Sequence, residues 1–77
     1  VTNYETIGDW RIRINGNEHG TPHVHVLFRD GSRVSVAIET RAVLSGNVTP
    51  LKRLMPALAD IEEHERKYLD EYRRLNP

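Results

Sequence analysis

Apolar and polar residues alternate from Trp10 to about Leu44 and recur every three or four positions from Pro50 onward, so the chain changes period once. Trp10-Arg11-Ile12-Arg13-Ile14 is a five-residue alternation that ends in the turn signal Asn15-Gly16-Asn17. A polar loop over residues 18–22 leads into His23-Val24-His25-Val26-Leu27-Phe28, the second predicted strand. Arg29-Asp30-Gly31-Ser32 marks the next turn and Arg33–Ile38 the third strand. Ala42-Val43-Leu44 predicts a short fourth strand, closed by Ser45-Gly46. Two registers compete at Asp30-Gly31. A two-residue loop would set His25 beside Val36 and mix polar with apolar side chains. A three-residue loop, Arg29-Asp30-Gly31 with Gly31 left-handed, puts Val24, Val26 and Phe28 on one face with Val34 and Val36. Register follows the pattern wherever one face is buried, so the second is expected. Trp10, Ile12 and Ile14 then join the apolar face. Arg11, Arg13, His23, His25, Leu27, Arg33, Ser35 and Ala37 collect on the other.

The C-terminal third supplies a cover for the apolar face. Thr49 is a candidate cap and Pro50 suits a first helical position. Leu51, Leu54, Leu58, Ile61, Glu65, Tyr68, Tyr72 and Leu75 then form a stripe at steps of three and four, apolar except at Glu65. Charged pairs four apart (Glu62–Arg66, Glu63–Lys67, Asp70–Arg74) lace the opposite side. Pro56 interrupts the pattern, because a proline inside a helix removes a hydrogen bond and clashes one turn back. The helix is therefore expected to start anew at Pro56 or to kink there. The fold class predicted is α+β: an antiparallel sheet of three to four strands (β-β-β-(β)-α) with one C-terminal helix on one face. The stripe also allows a homodimer through a short coiled coil, but an uncovered sheet face in the same chain favours packing within it.

Composition narrows the function classes. Seventy-seven residues make one small domain, expected to span 1–77, which buries only about 60% of its unfolded surface. Eleven basic and eleven acidic residues leave no net charge, which argues against holding nucleic acid by bulk electrostatics. The absence of Cys excludes a disulfide framework and thiolate metal sites. No apolar run approaches the roughly 20 residues that span a membrane, and no signal-peptide core is evident. A cytoplasmic protein with no membrane partner is expected, and Val1 in place of an initiator Met suggests a processed or trimmed chain.

The chemical interest lies in Glu18-His19-Gly20-Thr21-Pro22-His23-Val24-His25, with His64 on the predicted helix. His23 and His25 are two apart on a strand, so both imidazoles point to one side. His19 lies in the loop before them and Glu18 adds a carboxylate. Imidazole and carboxylate are ligands for zinc or another divalent transition metal. Imidazoles also titrate near neutrality, so His23, His25 and His19 are candidate general acids and bases with Arg33 beside them. Arg11, Arg13, Arg33 and His64 are candidate binding residues, with the arginines suited to phosphate.

These motifs, in this order, resemble a small bacterial family of unknown function, domain-of-unknown-function family 4160. Its members have a strand entry of the type Asp-His-x-Pro-Pro-His-Phe-His, then Ile-Glu-Thr leading into Val-Leu-x-Gly. A Pro-led helix follows, bearing a His and, near its end, an aromatic residue. Here the counterparts are Glu18–His25, Ile38-Glu39-Thr40-Arg41-Ala42-Val43-Leu44-Ser45-Gly46, Pro50, His64 and Tyr72, across roughly residues 10–75. This chain departs from the pattern with Glu18 for Asp, Thr21 for the first Pro, Val24 for Phe, Tyr72 for Trp, and the interior Pro56. The resemblance implies a component of a toxin–antitoxin-like pair, because such proteins are often encoded beside a second small protein.

Three functional readings follow. One is a cofactor-free protein whose His/Arg face, or whose Trp10–Ile14 edge, docks a small protein partner or RNA. The second is a metal-free endoribonuclease that uses His23, His25, His19 and Arg33. The third is a transition-metal site of Glu18, His19, His23 and His25. Whether the chain is an enzyme is left open by the sequence.

Overall fold

A computed structural model describes all of residues 1–77. Its sheet is built around the Arg29–Gly31 turn. Phe28 N–H bonds the Ser32 carbonyl (2.8 Å) and Gly31 N–H bonds the Phe28 carbonyl (3.0 Å), leaving three residues in the loop. Gly31 has φ +91°, a conformation that glycine adopts without steric cost. This fixes strand β3 (His23–Phe28) against β4 (Arg33–Ala37) with Val26 opposite Val34 and Val24 opposite Val36. Strand β2 (Trp10–Ile14) lies on the other side of β3, with Ile12 opposite Val26 and Arg13 opposite His25. The register predicted from the hydrophobic pattern is the register present.

The sheet has five antiparallel strands in sequence order, not three or four. Strand β1 (Thr2–Asn3) pairs with Ile14 and Arg13 of β2. Two residues are too few to show an alternation, so no sequence pattern announces it. Strand β5 (Val43–Asn47) runs on through the Ser45-Gly46 pair that was expected to close it. Gly46 is a point of close approach: a Cβ there would lie 2.2 Å from the Arg33 carbonyl oxygen, and its φ is +83°. The register slips between Ser35 and Val36, where Leu44 is the extra residue of a bulge. Because β1 pairs with Arg13 and Ile14 of β2, the edge strands are the two-residue β1 and the five-residue β5, and Trp10–Ile14 is not an edge strand.

The cover is two helices, preceded by a 3-10 turn over Leu51–Leu54. Helix α1 spans Met55–Glu63 and α2 spans Glu65–Leu75. Pro56 stands in the first turn of α1, where its missing N–H has no intrahelical partner to lose. The helix thus starts anew within one residue of Pro56, the first of the two expectations, and a second break that no pattern announces falls at His64 (φ −113°, ψ 30°). It re-aims α2 so that Tyr68, Leu69 and Tyr72 are buried, while Glu65 turns outward to the Arg41 guanidinium at 3.3 Å. Thr49 makes no side-chain cap, and Pro50 rather than Thr49 precedes the 3-10 turn.

Helices and sheet share one core of sixteen buried residues, among them Ile12, Ile14, Val24, Val26, Val34 and Val36 from the strands. Leu54, Ala57, Ile61, Tyr68, Leu69 and Tyr72 fill it from above. No polar or charged residue is buried and no buried side-chain polar atom lacks a partner. No helix is long and apolar enough to cross a membrane. Arg53 ties the turns together: its guanidinium bonds Asp9 (2.8 and 3.1 Å), Asp30 (2.9 Å) and the Thr49 carbonyl (2.9 Å), and lies over the Phe28 ring.

Two outcomes follow from this architecture. Gly46→Ala would set a methyl group against backbone that cannot swing away, in a φ range that L-residues avoid. Urea unfolding should show a loss of at least about 2 kcal/mol. A near-unchanged midpoint would mean that β5 is not held against β4 as described. Acid is the second lever. The Ser32 N–H and then Arg53 push the Asp30 carboxyl down to about 2, and Arg74 and Thr2 do the same for Glu71. Arg53 also holds Asp9 below the usual carboxylate range. Folded-state values below the unfolded ones, about 4, mean that this stabilisation is complete above roughly pH 4.5 and lost as pH falls toward 2. The melting temperature should drop across that window, and less steeply in Arg53→Met, which removes the arginine's share for Asp9 and Asp30.

Candidate metal centre

The histidines lie on the opposite side of β3 from its core residues, on a face whose near end is reached by the last turn of α2. His23 and His25 project from it because their neighbours Val24 and Val26 are fully buried beneath. Residues 15–22, between β2 and β3, bring the carboxylate of Glu18 over them. His25 Nε2–H donates to Glu18 Oε1 at 2.8 Å, and His23 Nε2 lies 3.4 Å from Glu18 Oε2. The three ligand atoms lie within 4.8 Å of one another. All three side chains are partly buried, His23 most with 11% of its side chain exposed.

The outer ring nitrogens are held as well. His23 Nδ1–H donates to the Thr21 carbonyl at 2.8 Å, and the two imidazoles meet edge to face with centroids 5.1 Å apart. A carbonyl only accepts, so Nδ1 is the protonated nitrogen and the lone pair of Nε2 faces a carboxylate oxygen. That arrangement leaves Nε2 to share a metal ion with the carboxylate. His25 Nδ1 lies 3.1 Å from Ser35 Oγ, its cross-strand neighbour. A hydroxyl can donate or accept, so Ser35 suits either tautomer of His25. The His25 hydrogen bond holds the Glu18 carboxyl below its ordinary range against the opposing effect of burial, with the His23 and His25 charges and Asn15 adding to it.

Glu18 owes its place to the end of α2. The Glu18 N–H donates to Asn76 Oδ1 at 2.6 Å, while Asn76 Nδ2 donates to the carbonyls of Asn15 (3.0 Å) and Tyr72 (2.9 Å). Gly16 lies against the Leu75 carbonyl, where a Cβ would come to 3.3 Å. The Tyr72 ring packs on His23, 5.6 Å between centroids, and burial followed by the Glu18 charge raises its phenol pKa.

Of the sequence-predicted ligands, the fold gathers Glu18, His23 and His25 and leaves His19 outside, exposed in the loop. His64 is remote from them: it joins the two helices, 3.6 Å from Asp60 and 3.8 Å from Glu63. Arg13 stands directly across from His25, its Nε–H donating to Asn15 Oδ1 at 3.2 Å. Arg11 and Arg33 flank Leu27 one strand away on each side. The supporting residues Thr21 and Asn76 are missed by the sequence reading. A main-chain acceptor leaves no trace in residue type, and Asn76 reads only as a helix stop. Ser35 becomes readable once the register places it opposite His25.

Neither a curated relative nor a solved structure matches the chain. A family model, described as a domain of unknown function (DUF4160), matches residues 9–73, which covers β2 through nearly all of α2 and every member of the centre except Asn76. On that match the chain belongs to the DUF4160 family.

Proposed function

We propose that Glu18, His23 and His25 bind a divalent transition-metal ion. The observation that carries this reading is the convergence of both Nε2 atoms on one carboxylate while each Nδ1 is held by an outer partner. Metal-binding histidines are oriented in this way, with the far nitrogen bonded to a carbonyl, carboxylate or similar group. Two imidazoles and a carboxylate suit zinc or iron(II), and three protein ligands leave coordination positions for water or a substrate. Arg13 is the cation that opposes a dication most directly. Its Nε–H is bonded to Asn15, and the Glu18 charge offsets it.

The test is a titration of the tag-free chain with Zn(II), and with Co(II) for its visible absorption bands. One ion per chain should bind, raising the melting temperature by about 10 °C or more at a hundredfold excess over Kd, from some 2.7 kcal/mol of linkage. His25→Ala and Glu18→Gln should each weaken binding at least about a hundredfold, while His19→Ala and His64→Ala leave it unchanged. Binding that depends equally on His19 would overturn the assignment, as would the absence of saturable binding.

A second reading is docking of a small protein partner, as a toxin–antitoxin-like pair requires. It is favoured by β5, exposed along all five residues with Val43 and Leu44 48% and 46% exposed. Such an edge offers unpaired main-chain groups to an added strand. A small protein that pairs with this chain should give a complex on size exclusion that Leu44→Lys abolishes. No complex, or one indifferent to Leu44→Lys, would sink the idea.

A further inference from the structure

Each half of the chain is balanced, five cations against five anions in residues 1–49 and six against six in residues 50–77, but the cations of the first half are not all paired. Residues 1–49 carry five cations, Arg11, Arg13, Arg29, Arg33 and Arg41, all of them arginine. Arg41 is spent on Glu62 and Glu65 at 3.4 and 3.3 Å. Arg29 bonds only the Gly8 carbonyl. Arg11, Arg13 and Arg33 all stand on the open sheet face, and none has a carboxylate within ion-pair distance. The acids nearest them are already engaged, Glu18 by the histidines and Asp9 by Arg53.

Their placement is regular. Arg11 and Arg13 are two apart on β2, so they point the same way about 7 Å apart. Arg33 faces Arg11 across Leu27, two strand spacings or roughly 10 Å off. Long side chains at those separations can converge on one anion above Leu27. A guanidinium presents a planar fork that matches two phosphate oxygens, which a lysine does not. A shallow depression of about 140 Å³, lined by Thr6, Asp9, Arg11, Leu27, Phe28 and Arg29, continues the surface away from the histidines, and its one carboxylate, Asp9, is paired with Arg53. Arg13 completes the path on the other side, since it is the direct cross-strand neighbour of His25.

We infer that Arg11, Arg13 and Arg33 form a phosphate subsite beside the Glu18–His23–His25 centre, so that the ligand of this face is a phosphate ester. The inference rests on the metal reading for what the centre does with that ligand, but the arginines bind phosphate with or without an ion. Leu27 is the large apolar side chain among them, so recognition falls on the phosphate rather than on stacked bases.

The test is a ¹H–¹⁵N titration of the full chain with inorganic phosphate at fixed ionic strength, once in EDTA and once with Zn(II). The Nε–H signals of Arg11, Arg13 and Arg33 and the amides of Leu27 and His25 should shift and saturate together. Arg11→Gln, Arg13→Gln and Arg33→Gln should each weaken binding about tenfold. Arg66→Gln with Arg73→Gln, two exposed and unpaired arginines of α2, should change it less than twofold. A p-nitrophenyl phosphate arm and an RNA decamer arm then separate the sources. Tighter binding of the decamer with the same arginine dependence assigns a diester, and equal or weaker binding assigns a monoester. Shifts spread over the helices, no saturation, or an affinity indifferent to the three arginines would overturn the inference. Zinc binding without phosphate binding leaves the metal reading standing and removes this one; phosphate binding in EDTA with no zinc uptake does the reverse.

Discussion

The structure depends on the register of β3. Every second residue of that strand enters the core, and the residues between carry the chemistry. The period of a strand is two, so a slip by one residue would drive His23 and His25 under the helices and expose Val24, Val26 and Phe28. Three buried apolar side chains oppose such a slip, and the three-residue turn at Arg29–Gly31 fixes the alignment that they require. The hydrophobic effect thus aims the imidazoles without touching them.

That aim is completed from the far end of the chain. The strand sets two nitrogens in place, but the carboxylate comes from a loop, and loops are positioned by what they lean on. Here the support is the last turn of α2, where Tyr72, Leu75 and Asn76 meet residues 15–23. The break at His64 matters for this reason. It turns α2 so that its buried stripe follows the sheet and its final turn arrives beside Glu18.

Much of this was legible in residue order, and what was not has physical causes. The alternation in Trp10–Ile14, His23–Phe28 and Arg33–Val36 specifies strands, faces and register because burial of one face imposes a period of two. The stripe from Leu54 to Leu75 specifies helical cover in the same way, although its boundaries do not follow from it. Pro56 marks the start of α1 to within one residue, because a first-turn proline has no intrahelical N–H bond to lose. His64, where the helix does break, has an ordinary helical residue type and no local signal. Gly46 reads as a stop because glycine usually ends a strand, whereas here it lets two backbones approach. At the site, the His-x-His spacing pointed to both imidazoles. It did not separate Glu18 from His19, since loop neighbours are sorted by the conformation of the loop, which depends on the distant Asn76.

The clasp at Asn76 divides the centre into parts of unequal permanence. Strand β3 lies in the middle of the sheet, bonded on both sides, and moves only with the whole fold. Glu18 is tied through its backbone to a residue 58 positions away, just past the last turn of a helix, where structure opens at lower cost than in the core. Fraying of that turn releases the carboxylate while both imidazoles stay where they are. If the centre holds an ion, a change in that turn would alter its entry and exit without altering the sheet.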